Sequence, residues 1–194
     1  MWPWEHAIVG YLVFSLAVHL FRSRPPTDRE AIAVVFASLL PDLIDKPLAW
    51  EFGVFSSGYG IGHSVFFAVP LSAAVVLLAI RTGRDGTGVA FATGYLLHLP
   101  ADLFPHLLNG RFPVERVLWP LATSESSYPD GFTGTFRTFL GDWLADLLTW
   151  PPSTTVAVMA GGIVGCGLLW AVDGLPGLRG PAYAVRRLVR RRLR

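Results

Sequence analysis

The sequence predicts an all-α protein: a polytopic membrane helix bundle of about five transmembrane helices, with a broken second helix and an outer amphipathic helix. Of its 194 residues, 52% are hydrophobic and 15% are charged, more apolar surface than a soluble core of this size requires. Five segments approach the roughly 20 apolar residues that cross a bilayer. They are residues 6–22, 31–50, 61–80, 87–108 and 154–173.

The second segment is the least regular of the five. After an uninterrupted apolar run from Ala31 to Leu40, it contains Pro41, Asp42 and Lys46. Polar backbone survives at membrane depth only where protein or a wet cavity surrounds it. The interruption therefore predicts a broken or half-buried helix.

Arginines are distributed unevenly around the spans. Clusters lie in residues 22–29 and 81–84, and seven of the fifteen arginines lie in residues 179–194. By the positive-inside rule these regions are cytoplasmic, which places the N-terminus outside and the C-terminus inside the cell membrane. We interpret residues 1–178 as a single transmembrane helical domain and residues 179–194 as a basic cytoplasmic tail. Behind a hydrophobic span, such a tail is expected to meet anionic lipid rather than nucleic acid.

The long outer connection, residues 109–153, contains apolar residues at helical spacing. They are Phe136, Phe139, Leu140, Trp143, Leu147 and Leu148. This pattern is typical of an amphipathic helix. It fits equally a lid at the membrane interface or a helix that packs on the others and closes the bundle.

Polar residues from four predicted helices approach the outer membrane face. They are His6 on the first span, Asp42 and Asp45 on the second, His63 on the third, and His98 and Asp102 on the fourth. His98 and Asp102 share a helix face through their i, i+4 spacing. Imidazole and carboxylate ligands suit zinc, manganese or iron better than calcium. The convergence predicts a divalent transition metal site, with zinc preferred.

Each of these residues also has a simpler interpretation when taken alone. His6 is at a helix end near an interface, and Asp42 after Pro41 suits a turn or a helix start. Ser64 is most simply a small helix residue, although its hydroxyl can also orient a ligand or substrate. Four helices that contribute His or Asp at one depth favour the metal site over these separate explanations.

Four motifs carry a resemblance to a known family. They are His6 followed by Gly10, Leu39-Leu40-Pro41-Asp42-Leu43-Ile44-Asp45, Gly62-His63-Ser64, and the run from Gly94 to Asp102. In order and spacing they resemble the membrane-bound metal-dependent hydrolase family, which includes the inner-membrane protein often described as LexA-binding. The resemblance covers about residues 1–108.

That family is in turn similar to the zinc-dependent phospholipase C and S1/P1 nuclease group. The resemblance implies that His98 and Asp102 match the His-x-x-x-Asp metal ligands of that group. By the same resemblance, His6, Asp42 and His63 match earlier ligands, and Asp45 is an additional candidate. The later His-x-x-x-Glu motif of the soluble enzymes is absent here, although Asp142 and Asp146 occur in a comparable order. One or two ions are therefore expected.

The resemblance implies a membrane-embedded metal-dependent hydrolase that cleaves a phosphoester, with phospholipid as a candidate substrate and a metal-activated water as nucleophile. Asp42, Asp45 and Ser64 are the catalytic candidates, with Asp42 or Asp45 as general base. Two alternatives remain open. The same residues suit a transporter for metal ions or protons, or a structural membrane protein with a metal site that does not turn over.

Overall fold

The computed structural model describes residues 2–107, 110–126, 128–151 and 153–178. Within these residues the protein has six α-helices, one 3-10 turn at Val114–Arg116 and no strand. The helices are α1 (Pro3–Arg22), α2 (Asp28–Trp50), α3 (Val65–Arg81), α4 (Asp85–Leu107), α5 (Gly131–Leu148) and α6 (Thr154–Val172). The all-α prediction is confirmed, and the predicted basic tail lies outside the described residues.

Side-chain caps determine where several helices begin. The Thr27 hydroxyl accepts the Glu30 N–H at 3.3 Å, and the Glu30 carboxylate accepts the Thr27 N–H at 2.8 Å. This reciprocal capping box satisfies two backbone donors at the start of α2. Ser64 caps α3 and Ser153 caps α6 by accepting from Phe66 N–H and Val156 N–H.

Helices α2 and α4 form the centre of the bundle. Helix α1 packs against both of them, and α3 packs against α4. Gly94 of α4 lies against the α2 backbone so closely that an added Cβ would meet the Val34 carbonyl oxygen. Gly10 of α1 similarly faces the Ser38 hydroxyl. These glycines let three helix axes approach one another, which brings the ends of the helices within reach of a common site.

The prediction of a broken second helix is wrong. Helix α2 runs without interruption through Pro41 and Pro47. Proline removes one backbone donor and crowds the preceding turn, but a helix can continue where neighbouring groups satisfy the freed carbonyls. Beside Pro41, His98 of α4 hydrogen-bonds to the Ser38 carbonyl at 2.7 Å, so α4 packs directly against this turn of α2.

Large apolar side chains cover much of the outer surface of the helices. Phe21 is 78% exposed, and Leu168 on α6 is 65% exposed. Among the described helices, α1 alone is both long and apolar enough to cross a bilayer, while residues 65–81 and 156–172 are apolar but shorter. The five-span arrangement and its orientation stay predictions.

Helix α5 contacts the bundle through aromatic side chains. Phe132 and Phe139 pack on the Trp50 ring at the end of α2, and Trp143 packs on Trp4 of α1. Leu148 remains 82% exposed on the same helix. The predicted amphipathic helix therefore packs on the bundle along one edge and leaves much of its apolar face uncovered.

Candidate metal centre

Four buried side chains meet at one end of the bundle. Asp42 comes from α2, His63 from the segment before α3, and His98 and Asp102 from α4. One ligand atom from each lies within 4.8 Å of the others, and together they could hold a metal ion. All four residues are at most 5% exposed. These are four of the six residues that the sequence predicts as ligands.

The two histidine rings are oriented by hydrogen bonds on their outer nitrogens. His98 Nδ1 lies 2.7 Å from the Ser38 carbonyl oxygen, and His63 Nδ1 lies 2.7 Å from Asp45 Oδ2. Both partners are acceptors, so each Nδ1 carries a proton and each ring directs its Nε2 atom to the centre. The two Nε2 atoms are only 3.0 Å apart.

Two carboxylates complete this arrangement. His63 Nε2 is 3.5 Å from Asp42 Oδ1 and 3.4 Å from Asp102 Oδ2. The corresponding distances from His98 Nε2 are 3.8 and 3.7 Å. Lone pairs and negative oxygens at these separations repel one another unless a metal ion or a proton lies between them. The geometry of the buried donors therefore calls for a positive charge at their centre.

The separations between the ring nitrogens and their neighbours suit a tetrahedral ion, in which two imidazoles and one carboxylate would leave the fourth position open to water. An ion with ligand distances of about 2.0 Å requires donor atoms about 3.3 Å apart, and the measured separations between ring nitrogens and their neighbours are 3.0 to 3.8 Å. Two imidazoles and two carboxylates form a donor set that zinc, manganese and iron all accept. The residues present thus fit the predicted transition metal, and its identity stays open.

Asp45 lies behind His63, outside the four-residue group. Its carboxylate accepts the backbone N–H groups of Gly60, Gly62 and His63 at 2.7 to 2.9 Å, in addition to His63 Nδ1. The side chain is 0% exposed. In this position Asp45 shapes the segment before α3 and orients the His63 ring, as partners of metal-bound histidines commonly do.

His6 lies on the other side of His98. Its ring stacks on the His98 ring with centroids 3.7 Å apart, and its Nε2 lies 3.0 Å from Asp102 Oδ1. His6 is 2% exposed. His6 therefore contacts the centre through Asp102 and the His98 ring, and it is not one of the four grouped residues.

The remaining predicted site residues lie further out. Ser64 accepts the Phe66 N–H and donates its hydroxyl to the Trp119 carbonyl at 2.5 Å, so its side chain is engaged in capping α3. Asp142 and Asp146 are on α5, where Asp146 accepts a hydrogen bond from Ser153. Neither aspartate belongs to the cluster described above.

Two residues near the centre are absent from the sequence prediction. Lys46 Nζ lies 2.7 Å from Asp42 Oδ2, and the lysine side chain is 22% exposed. Its i, i+4 spacing from Asp42 is the sequence signal that could have identified it. Tyr59 packs edge-on against the His63 ring and accepts a hydrogen bond from Arg116 at 3.0 Å. Burial and the nearby Asp102 charge raise the pKa of Tyr59, so its hydroxyl stays protonated.

A comparison with known families decides the affiliation of the chain. The sequence pattern of the YdjM inner membrane protein family matches residues 1–174. The chain belongs to this family. Membership of this family supports a membrane location, and the matched range contains every residue of the candidate centre. Neither the curated proteins nor the solved structures give a significant match.

Proposed function

We propose that the protein is a metal-dependent hydrolase that cleaves a phosphoester at the membrane surface. The observation that carries this proposal is the pair of His63 and His98 Nε2 atoms 3.0 Å apart, closed by Asp42 and Asp102. An ion held by these residues would acidify a water molecule and polarise a phosphoryl oxygen. The resemblance to the zinc-dependent phospholipase C group supports this class of reaction.

Asp42 is the better candidate for general base of the two aspartates that the sequence left open. The Asp45 oxygens already accept four hydrogen bonds. Asp42 instead directs Oδ1 toward the histidines and Oδ2 toward the partly exposed Lys46. A proton acceptor must lie within hydrogen-bond reach of the water that the ion would hold, and of the two aspartates Asp42 is the one that belongs to the four-residue group.

Cationic groups beside the centre favour an anionic substrate. The Lys46 ammonium lies next to Asp42, and the Arg116 guanidinium lies 4.5 Å from the centre of the Tyr59 ring. Phe66 lies at the start of α3, three residues after His63, and is 51% exposed. A phosphoester with an apolar portion, such as a phospholipid, matches this combination of positive charge and apolar surface.

The first test is metal content together with chelator-sensitive hydrolysis. Protein purified in detergent is analysed for bound elements and then assayed on phospholipids and aryl phosphodiesters, with and without a chelator. His98→Ala is expected to lose most of the metal and all hydrolysis. The control, His19→Ala, removes a histidine in the last turn of α1, away from the centre, and should keep both. Equal metal content in wild type and His98→Ala would remove His98 as a ligand.

A second assay addresses the base. Asp42→Asn is expected to abolish hydrolysis because an amide cannot take up the proton, while still inserting in the membrane. Asp142→Asn is the matched control, since it makes the same change on α5 outside the cluster. Full hydrolysis by Asp42→Asn would contradict the assignment of this residue.

A transporter is the second candidate, and one observation favours it. Along the middle and last turns of α1, away from the metal centre, the buried Asp173 carboxylate accepts hydrogen bonds from Tyr11 and Ser15 at 2.6 Å. The same carboxylate contacts His19 at 2.6 Å. The inner part of the bundle therefore contains more buried polar groups than the sequence indicates. Metal or proton flux in proteoliposomes without any hydrolysis would support transport. If neither occurs while chelation lowers the melting temperature, the metal site is structural.

A further inference from the structure

We propose that a second site, at the end of the bundle opposite the metal centre, binds the phosphate of an anionic phospholipid. The site is a cavity of about 450 Å³ between the α1–α2 and α3–α4 connections. It is separated from His6 by the length of α1, about 24 Å for the sixteen residues to Arg22 at 1.5 Å per residue. It is therefore independent of the proposed hydrolase centre.

Four arginines from separate segments line this cavity: Arg22, Arg24, Arg29 and Arg84. Two of them are held in place by carboxylates. Arg24 makes a bidentate pair with Glu30 at 2.6 and 2.7 Å, and Arg22 pairs with Asp85 at 2.8 Å.

The other two arginines are available to a ligand. Arg29 and Arg84 are exposed, and neither takes part in the two ion pairs that hold Arg22 and Arg24. With Asp28, Glu30 and Asp85 as the lining acids, the cavity has an excess of one positive charge. A phosphodiester carries one negative charge, and the planar guanidinium donates to two phosphate oxygens at once.

The backbone adds to this positive potential. Helices α2 and α4 both begin at the wall of the cavity, at Asp28 and Asp85. The N-terminal ends of helices carry a partial positive charge that attracts phosphate through the helix dipole. Gly86 permits this convergence, since an added Cβ would collide with the Glu30 carboxylate.

The surroundings of the cavity identify a lipid rather than a soluble anion. Leu20 and Phe21, immediately before Arg22, are 74% and 78% exposed. Leu77 and Leu78, near the end of α3, are 59% and 63% exposed. A phosphate bound between the arginines would direct acyl chains along these apolar surfaces, which a soluble phosphate would leave unused. The choline of a zwitterionic lipid would instead meet like charge.

The test compares two arginine double variants of the full chain purified in detergent. Arg29→Gln/Arg84→Gln removes the two available cavity arginines. Arg81→Gln/Arg137→Gln removes the same charge, with Arg81 near the cavity but outside its lining and Arg137 on α5. Native mass spectrometry measures retention of phosphatidylglycerol and phosphatidylcholine, and inorganic phosphate serves as the soluble probe.

Wild type is expected to retain phosphatidylglycerol in preference to phosphatidylcholine and to show no comparable affinity for phosphate. Each arginine near an anionic headgroup contributes about 1 kcal/mol, so the cavity variant should bind phosphatidylglycerol about 30-fold more weakly. The control variant should bind it like wild type. The metal content of both double variants should equal that of wild type. A failure of the lipid site can therefore be distinguished from a failure of the proposed hydrolase.

Three results would overturn the proposal. They are equal loss in the two double variants, equal retention of the two lipids, and binding of inorganic phosphate as tight as that of phosphatidylglycerol. If the cavity variant does not fold, a salt titration of the wild type replaces it. Phosphatidylglycerol retention must then fall with added salt because exposed charges are screened, and retention that ignores salt refutes the site.

Discussion

Replacing Asp45 with asparagine is expected to weaken metal binding without removing a ligand. Asp45 Oδ2 accepts hydrogen bonds from Gly60 N–H, His63 N–H and His63 Nδ1, while Oδ1 accepts one from Gly62 N–H. Asparagine keeps one oxygen and replaces the other with an NH2 group. The arrangement that loses least keeps oxygen at Oδ2 and turns the NH2 toward the Gly62 N–H.

The size of the effect follows from these contacts. One lost hydrogen bond to a charged acceptor costs about 1.5–3 kcal/mol, and the other three weaken because the acceptor is no longer charged. The His63 ring becomes less firmly oriented. Loss of such an outer partner typically reduces metal affinity about 10- to 100-fold. We therefore expect Asp45→Asn to bind the wild-type number of ions with a Kd higher by that factor.

Metal titration of chelator-stripped protein in detergent measures both the number of ions and the Kd. His98→Ala provides the comparison for a true ligand and should lose the ion itself. Asp142→Asn provides the control for the loss of one carboxylate and should match wild type. Complete loss of metal from Asp45→Asn would show that Asp45 is a ligand, and unchanged affinity would show that the orientation of His63 does not depend on it.

The remaining predictions concern the bundle. Gly94→Ala should destabilise the protein by about 1–3 kcal/mol in thermal unfolding because its Cβ meets the α2 backbone, whereas Gly161→Ala, with open space around it, should be tolerated. Asp173→Ala should lower the melting temperature, since an unsatisfied buried hydrogen-bonding group costs about 1–3 kcal/mol; an unchanged melting temperature would refute a stabilising role. In a Cys-free background, a cysteine in the region 109–153 should label from outside intact cells and one near Arg84 should not, and the reverse pattern would refute the predicted orientation.

Hydrophobic patterning alone predicted most of the helical organisation. The five predicted spans coincide closely with α1, α2, α3, α4 and α6, and the amphipathic pattern coincides with α5. Apolar runs bounded by polar residues carry this information locally. The continuity of α2 through Pro41 could not be predicted in this way, because the local sequence does not show how α4 packs against this helix.

The sequence by itself determined the residue types of the centre and the end of the bundle at which they meet. The order of the helices and the i, i+4 spacing of His98 and Asp102 are enough to predict that these side chains approach one another at one end of the bundle. Tertiary structure decided the separate roles: Asp45 and the Ser38 carbonyl orient the two rings, Lys46 balances Asp42, and Ser64 caps a helix. Tertiary structure also joined Asp173 to α1 and brought the four cavity arginines together. These roles depend on distances between atoms far apart in the chain, which packing fixes and which no local pattern encodes.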